Sequence, residues 1–427
     1  ICCGVGQIDD NPANECLNAN PPTPIKQASG TLTCNENFDC CSCSGLICNN
    51  CVALECAGDS SCIGVDDIEI KDACANQGAS IICGGDVACY RTEITGECIK
   101  GITCNGDNSC GNSVFRFNQN IIVPESINSL KLEFNGDVSV PKTKIFAKNV
   151  DTVSCTGDDS CPDSEFTIEC VGIGCGVGVG GDGGASGAKW IIDNVNKIEC
   201  AGDEGCSRTT FTIACIDTGC PISINGDSGA IRSTWTITNG NSFVCSAENG
   251  CSRSTFIIDF ISSGAMIECS GSCFRTTFIV YNTMGVLCNG LILGTLGTIQ
   301  GGCERATFRL NNNIGGSILC DSTNACKNAI FTGVMDLDEA TNINEVKCSS
   351  EGSCQKTSFR LSPNGADFKF LCGSVESCRQ ASILIHTPFN SIDTFSCDAV
   401  DSCRSTTVFI EGKSPNGLTI NSLSFGG

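Results

Sequence analysis

Short runs in which apolar residues alternate with polar ones recur along this chain, and no stretch keeps the spacing of an amphipathic helix. One series opens on an aromatic residue: Phe166-Thr-Ile, Trp190-Ile-Ile, Phe211-Thr-Ile, Trp235-Thr-Ile, Phe256-Ile-Ile, Phe278-Ile-Val, Phe308-Arg-Leu and Phe359-Arg-Leu. A second series runs into a cysteine, as in Lys197-Ile-Glu-Cys200, Ser242-Phe-Val-Cys245, Met266-Ile-Glu-Cys269 and Phe370-Leu-Cys372. Aromatic and β-branched residues at period two predict short half-buried strands. Between the two series lie glycine-rich turns, many of them Gly-Asp, with aspartates at Asp59, Asp86, Asp107, Asp137, Asp158, Asp182, Asp203 and Asp227.

These turns recur about every 24 residues, an interval that marks a repeat architecture. Three residues to either side of the aspartate the chain usually carries a cysteine: Cys56 and Cys62, Cys83 and Cys89, Cys104 and Cys110, Cys155 and Cys161, Cys200 and Cys206. Where the pair is missing, the same positions read Phe134 and Val140, Val179 and Ala185, Ile224 and Ala230. Apolar residues replace cysteines only where both positions face a dry interior, so the spacing predicts disulfides inside each coil. The interval continues, without Gly-Asp, through Cys245 and Cys251, Cys269 and Cys273, Cys320 and Cys326, Cys348 and Cys354, Cys372 and Cys378, and Cys397 and Cys403. The fold expected is all-β: a β-solenoid, most simply a three-sided right-handed parallel β-helix with intra-coil disulfides. Residues 1–33 lack the period and carry Asn20-Pro21-Pro22-Thr23-Pro24, so they are expected to form an irregular N-terminal segment or cap. Residues 34–427 then make a single β-helix of about 16 coils, since solenoids lengthen by adding coils rather than domains.

Composition fits this reading: the 427 residues include 49 glycines and 39 cysteines, and only 17% are charged. So many cysteines place the protein outside the reducing cytosol, secreted and extracellular. The first residue is Ile1 rather than methionine, as expected after removal of a signal peptide. Cys48-x2-Cys51 has zinc-ligand spacing, but the regular C-x5-C pattern favours disulfides. An odd cysteine total leaves one thiol without a partner in the chain, and Cys2, Cys3, Cys16, Cys288 and Cys303 stand outside the regular pairs.

A formal net charge of −22 argues against nucleic acid as a partner. Acidic residues gather in the turns, while Arg208, Arg253, Arg275, Arg305, Lys327, Lys356, Arg379 and Arg404 follow the second cysteine. Stacking the coils would align these into an acidic and a basic ribbon. Asp158, Asp182, Asp203 and Asp227 are the candidate calcium ligands, because hard cations take carboxylate oxygens. The alternative is that Gly-Asp simply makes a tight turn.

No catalytic set emerges, so the expectation is a protein that is not an enzyme and needs no cofactor beyond that calcium. The single histidine, His386, lies on a strand-like Ile-Leu-Ile-His-Thr-Pro segment, and no nucleophile elbow is present. Trp190 and Trp235 occupy aromatic positions of the repeat and are expected in the core, not on a sugar-binding platform. The long departures from the period are at 111–130, 288–303 and 332–346.

Thr210, Thr234, Thr255, Thr277 and Thr307 precede the aromatic residue and should point outward, in a column broken by Lys189, Ile330 and Val408. With the T-x-T of Thr210-Phe211-Thr212 and Thr234-Trp235-Thr236, the C-x5-C crosslink is similar to that of the β-helical antifreeze proteins of beetles, which implies ice binding as a minor alternative. Over residues 56–410, segments such as Cys104-Asn-Gly-Asp-Asn-Ser-Cys110 and Cys320-Asp-Ser-Thr-Asn-Ala-Cys326 resemble cysteine-rich parallel β-helix repeats of secreted and surface proteins of protists and algae. That resemblance implies fold and compartment, not activity.

The C-terminal stretch from Leu418 through Ile420 and Leu423 to Phe425 alternates apolar and polar residues without a charged or proline-rich cap. An uncapped solenoid end can pair with another copy, and head-to-tail pairing gives an open filament. The leading expectation is therefore a secreted structural protein, a head-to-tail homopolymer forming an extracellular filament or sheath. The alternative is a monomeric surface adhesin or carbohydrate-binding β-helix whose partner is an extracellular polysaccharide. A polysaccharide-degrading enzyme ranks behind both.

Overall fold

A computed structural model describes residues 25–27, 30–34 and 46–425, apart from internal stretches at 66, 72, 74–77, 118–128, 262–263, 272, 294–297, 312–315, 334–342, 364–366, 388–390 and 413–418. The chain is an all-β parallel β-solenoid with roughly 24 residues per coil and disulfides inside the coils. It divides into two compact units, Ile1–Lys197 with Ala201–Ile213, and Ile198–Cys200 with Ala214–Gly427.

In the first unit, two sides of each coil are strands and the third is a turn segment. One side stacks Gly30–Cys34, Cys51–Cys56, Ala79–Cys83, Ile99–Cys104 and Leu130–Phe134. Its register runs Cys34 to Cys56, Cys83, Cys104, Phe134, Cys155 and Val179, one step per coil. Phenylalanine and valine thus stand in the cysteine column, as a dry interior requires. The other strand side stacks Ile68, Ile94, Phe115, Ile145, Phe166 and Trp190. Lys144–Cys155 and Lys189–Cys200 cover both sides in single 12-residue strands, turning the corner at Asn149 and Asn194. Both asparagines adopt φ near +60°, a region that asparagine tolerates better than most residues. Among the described residues the third side has no strand but is hydrogen-bonded coil to coil, for example from Ser60 N–H to Asp86 O at 2.7 Å and from Cys110 N–H to Ser139 O at 2.8 Å.

Pairing already begins at Ile25–Gln27, which lies against Leu46–Cys48, so part of the segment expected to be irregular joins the ladder. Residues 1–24 lie outside the described part.

The second unit repeats the plan. Its cysteine column runs Cys200, Ile224, Cys245, Cys269, Cys288, Cys320, Cys348, Cys372, Cys397 and Phe425. Its aromatic column holds Phe278, Phe308, Phe331 and Phe359 with nearly parallel rings at centroid distances of 4.9, 4.8 and 5.3 Å. These spacings match the rise of one coil, so register and ring stacking reinforce each other. Trp235 pairs with Phe256 in that column and is fully buried, as Trp190 is in the first unit. Threonines 255, 277 and 307 stack on the outer face beside it. One expectation needs correction: Thr407 continues that threonine column and Val408 lies in the aromatic column, because Ser382 pairs with Thr407 and Ile383 with Val408.

Candidate functional site

The turn segment carries most of the chain's repeated chemistry. Disulfides close it at Cys56–Cys62, Cys83–Cys89, Cys104–Cys110 and Cys155–Cys161 in the first unit. In the second they join Cys245–Cys251, Cys269–Cys273, Cys320–Cys326, Cys348–Cys354, Cys372–Cys378 and Cys397–Cys403. Cys200 and Cys206 are also disulfide-bonded. Cys48 and Cys51, which have zinc spacing, form a disulfide instead. Cys288 and Cys303, which looked irregular, are also partners. Cys288 sits in the regular column and Cys303 N–H bonds to Ala325 O like its counterparts, while an antiparallel hairpin of Leu291–Leu293 and Thr298–Gln300 is inserted between them. Two further bridges, Cys170–Cys175 and Cys215–Cys220, close a different corner. Their shared C-x4-C spacing was the available signal. Cys2, Cys3 and Cys16 lie outside the described residues.

Within the turn, five of the aspartates act between coils rather than within their own. Asp59 Oδ1 accepts the N–H of Asp86 at 3.3 Å, Asp86 that of Asp107 at 3.1 Å, Asp137 that of Asp158 at 3.3 Å, and Asp158 that of Asp182 at 3.1 Å. In the second unit Asp227 Oδ1 takes the N–H of Glu248 at 3.1 Å. The carboxylates are exposed, so the column is a backbone staple with a charged outer edge. Among the described residues, the groups of three or more potential metal-ligating side chains within 4.8 Å consist of cysteines. All of these are disulfide-bonded and have no thiolate to offer. The candidate calcium ligands Asp158, Asp182 and Asp203 fall in the first unit and Asp227 in the second.

Two left-handed residues frame each turn. One column runs through Ser60, Val87, Asn108, Val138, Asp159 and Glu204, and on to Ser228, Asn249, Asn324, Glu376 and Asp401. The other, two residues after the second cysteine position, holds Arg91, Asn112, Lys142, Asp163 and Arg208 in the first unit. In the second unit it holds Arg232, Arg253, Arg275, Arg305, Asn328, Lys356 and Gln380. The basic ribbon is therefore two adjacent columns, with Lys327, Arg379 and Arg404 one position earlier. Arg232 escaped notice because its coil has Ala230 in place of the cysteine.

A buried hydroxyl column was also missed. Thr92, Thr143 and Thr209 donate to the carbonyls of Cys62, Cys110 and Ala185 one coil back, at 2.8, 2.6 and 2.8 Å. Thr276 and Thr357 do the same to Cys251 and Cys326, each at 2.5 Å. A Ser or Thr three residues after the second cysteine position was the sequence signal.

On the outer strand face of the first unit, Arg116, Phe146, Lys148, Thr167, Glu169 and Ile191 line a shallow groove. Arg116 lies over the Phe146 ring at 4.9 Å, and Lys148 pairs with Glu169 at 3.0 Å. His386, in the second unit, stands 3.4 Å from Glu411. Leu418 lies outside the described residues; the backbone of Ile420, Leu423 and Phe425 pairs with Ile392, Phe395 and Cys397. Of the long departures at 111–130 and 332–346, residues 118–128 and 334–342 also fall outside the described residues.

These features define a cysteine-rich parallel β-solenoid with disulfides inside its coils. No protein-family model matches the chain, nor does any curated protein or solved structure. The disulfide content is consistent with an extracellular protein. No helix of the described residues is long and apolar enough to cross a membrane.

Proposed function

We propose that this chain is a non-enzymatic structural element of an extracellular filament or sheath, built by end-to-end association of disulfide-closed solenoids. The observation that carries the reading is the sameness of the coils. Each offers the next an in-register parallel edge, with a buried cysteine or apolar column behind it. An edge of that kind accepts another coil of the same plan, and head-to-tail contacts that do not close propagate. Disulfides of about 2 kcal/mol each, repeated along the coils, suit a material that must resist unfolding.

Negative-stain electron microscopy of the native protein, with and without EDTA, tests this. Filaments are the expected outcome, and their loss in EDTA would assign calcium to the aspartate column. Single particles at every concentration would overturn the proposal.

The groove beside Phe146 supports a second reading, a surface protein that binds an extracellular polysaccharide. Under that reading the protein stays monomeric and is retained on a glycan column, and Phe146→Ala releases it.

A further inference from the structure

The turn segment is net acidic in the first unit, whereas in the second basic residues balance the acidic ones that remain. In the first, the acidic column is held by Asp59, Asp86, Asp107, Asp137, Asp158 and Asp182, while the neighbouring basic column is interrupted by Gly64, Asn112, Asp163 and Gly187. In the second, Arg232, Arg253, Arg275 and Arg305 occupy successive coils, while the acidic column keeps Asp227, Glu248 and Glu351 but also contains Ser270, Thr323, Val375 and Val400.

Both columns are anchored through the backbone. Asp59, Asp86, Asp137 and Asp158 are tied by their Oδ1 atoms to the next coil's backbone. The arginines are fixed by left-handed φ of 56° to 60°. Their N–H groups bond to Ser252, Phe274, Glu304 and Lys327 of the next coil at 2.9 to 3.1 Å. Phe274 is flanked by two of their guanidinium groups, Arg275 at 5.0 Å and Arg305 at 5.7 Å. All four arginines are exposed, and among the described residues Arg232 and Arg253 have no ion-pair partner.

Like charges stacked one coil apart repel along each column, and an opposing column relieves both. The two columns share one rise, about 4.8 Å per coil, so they match rung for rung.

We infer that the arginine column of the second unit docks laterally on the aspartate column of the first unit of another copy. Copies then pack side by side in stagger. This rests on the structural role proposed above and adds its lateral contact. A flexible polyanion has no charge spacing set by the coil rise, which is why a second copy is the better fit.

Two variants test it. In D59N/D86N/D137N/D158N each asparagine keeps the Oδ1 acceptor for the backbone but loses the charge. In R232Q/R253Q/R275Q/R305Q the replacement is a residue already seen in this column, since Gln380 adopts φ 57° there. Both should keep the wild-type circular dichroism.

In analytical ultracentrifugation the wild type should associate in about 20 mM salt and dissociate in about 500 mM, where screening collapses to a few ångströms. Each variant alone should lose that association. An equimolar mixture should regain a dimer, since each copy brings the column the other lacks. A mixture that stays monomeric, or variants that associate like the wild type, overturns the inference. So does capture of dextran sulfate through the arginine column without a mixed dimer, which would reassign the column to a polyanion. Filaments that persist in high salt without mixed dimers would remove the lateral contact and leave the end-to-end role. Mixed dimers without filaments would do the reverse.

Discussion

The two units share one coil plan yet treat the same turn differently. In the first unit the residue before the aspartate is glycine at positions 58, 85, 106, 136, 157, 181 and 202; in the second its counterparts include Ala247, Ser322, Ser350 and Ala399. The first unit packs this turn backbone on backbone. A Cβ on Gly157 would stand 2.5 Å from Gly136 O, and one on Gly136 would stand 2.5 Å from Asn105 O. Ala247 is buried with its methyl in place, so the second unit leaves room. After Gly226-Asp227 the second unit therefore tolerates a side chain where the first requires glycine. The largest effect expected follows from this contrast. Gly157→Ala should cost about 3 kcal/mol by forcing the coils apart, whereas Ala247→Gly should cost about 1 kcal/mol through chain entropy. Thermal unfolding without reductant measures both, and equal costs would break the comparison.

A smaller pair of effects concerns the buried hydroxyls, which both units use. Thr143→Val in the first unit and Thr276→Val in the second should each cost about 1–2 kcal/mol, because Cys110 O and Cys251 O lose their donors. A cost in one unit alone would show that the column staples only that unit.

The two tryptophans sharpen the comparison further. Trp235 Nε1 donates to Ser233 Oγ at 2.7 Å, while Trp190 Nε1 is buried without a partner. The residue two before Trp190 is Ala188, where the second unit has Ser233. Ala188→Ser should therefore stabilise the first unit by about 1 kcal/mol by completing a hydrogen bond. The gain should vanish in a Trp190→Phe background; if it survives there, the indole is not its cause.

The parts of this molecule that could be read from the sequence are those written in residue identity at fixed spacing. Cysteines replaced by Phe134 and Val140, or by Ile224 and Ala230, told that the column faces inward, and the aromatic residues fixed the strand register through Phe308 and Phe359. Anchoring on cysteines had a cost, however. It hid Arg232, whose coil carries Ala230, and it made Cys288 and Cys303 look irregular, because an inserted hairpin separates partners that sit in ordinary columns. The role of the aspartates was not legible at all. A Gly-Asp pair reads as a local turn, and only the stacking of coils reveals that Asp59 caps the amide of Asp86 in the next coil. The left-handed columns were hidden for a related reason: Val87 and Val138 adopt φ of 58° and 52°, which β-branched residues avoid unless the surrounding fold imposes it.

The smallest effects expected are pH-dependent and run in opposite directions in the two units. In the second unit, Asp398 accepts hydrogen bonds from the hydroxyls of Ser396 and Ser424, and these hold its carboxyl below the usual range. A carboxylate with a depressed folded-state pKa stabilises the fold above its ordinary titration range, and that contribution is lost as pH falls through the lowered value. Ser424 belongs to the strand Thr419–Phe425, so acid should speed amide exchange in that strand. In the first unit burial, then the charges of Glu69 and Glu93, raises the Asp67 carboxyl, with Lys71 opposing. A raised folded-state pKa means that the folded chain binds the proton more tightly than the unfolded one, so acidification through that value should slow exchange in the strand Ile68–Lys71. Asp398→Asn and Asp67→Asn should each flatten the pH response of their own strand and leave the other unchanged. Hydrogen exchange read strand by strand separates the two, and a common direction in both would mean that net charge rather than these local contacts governs the response.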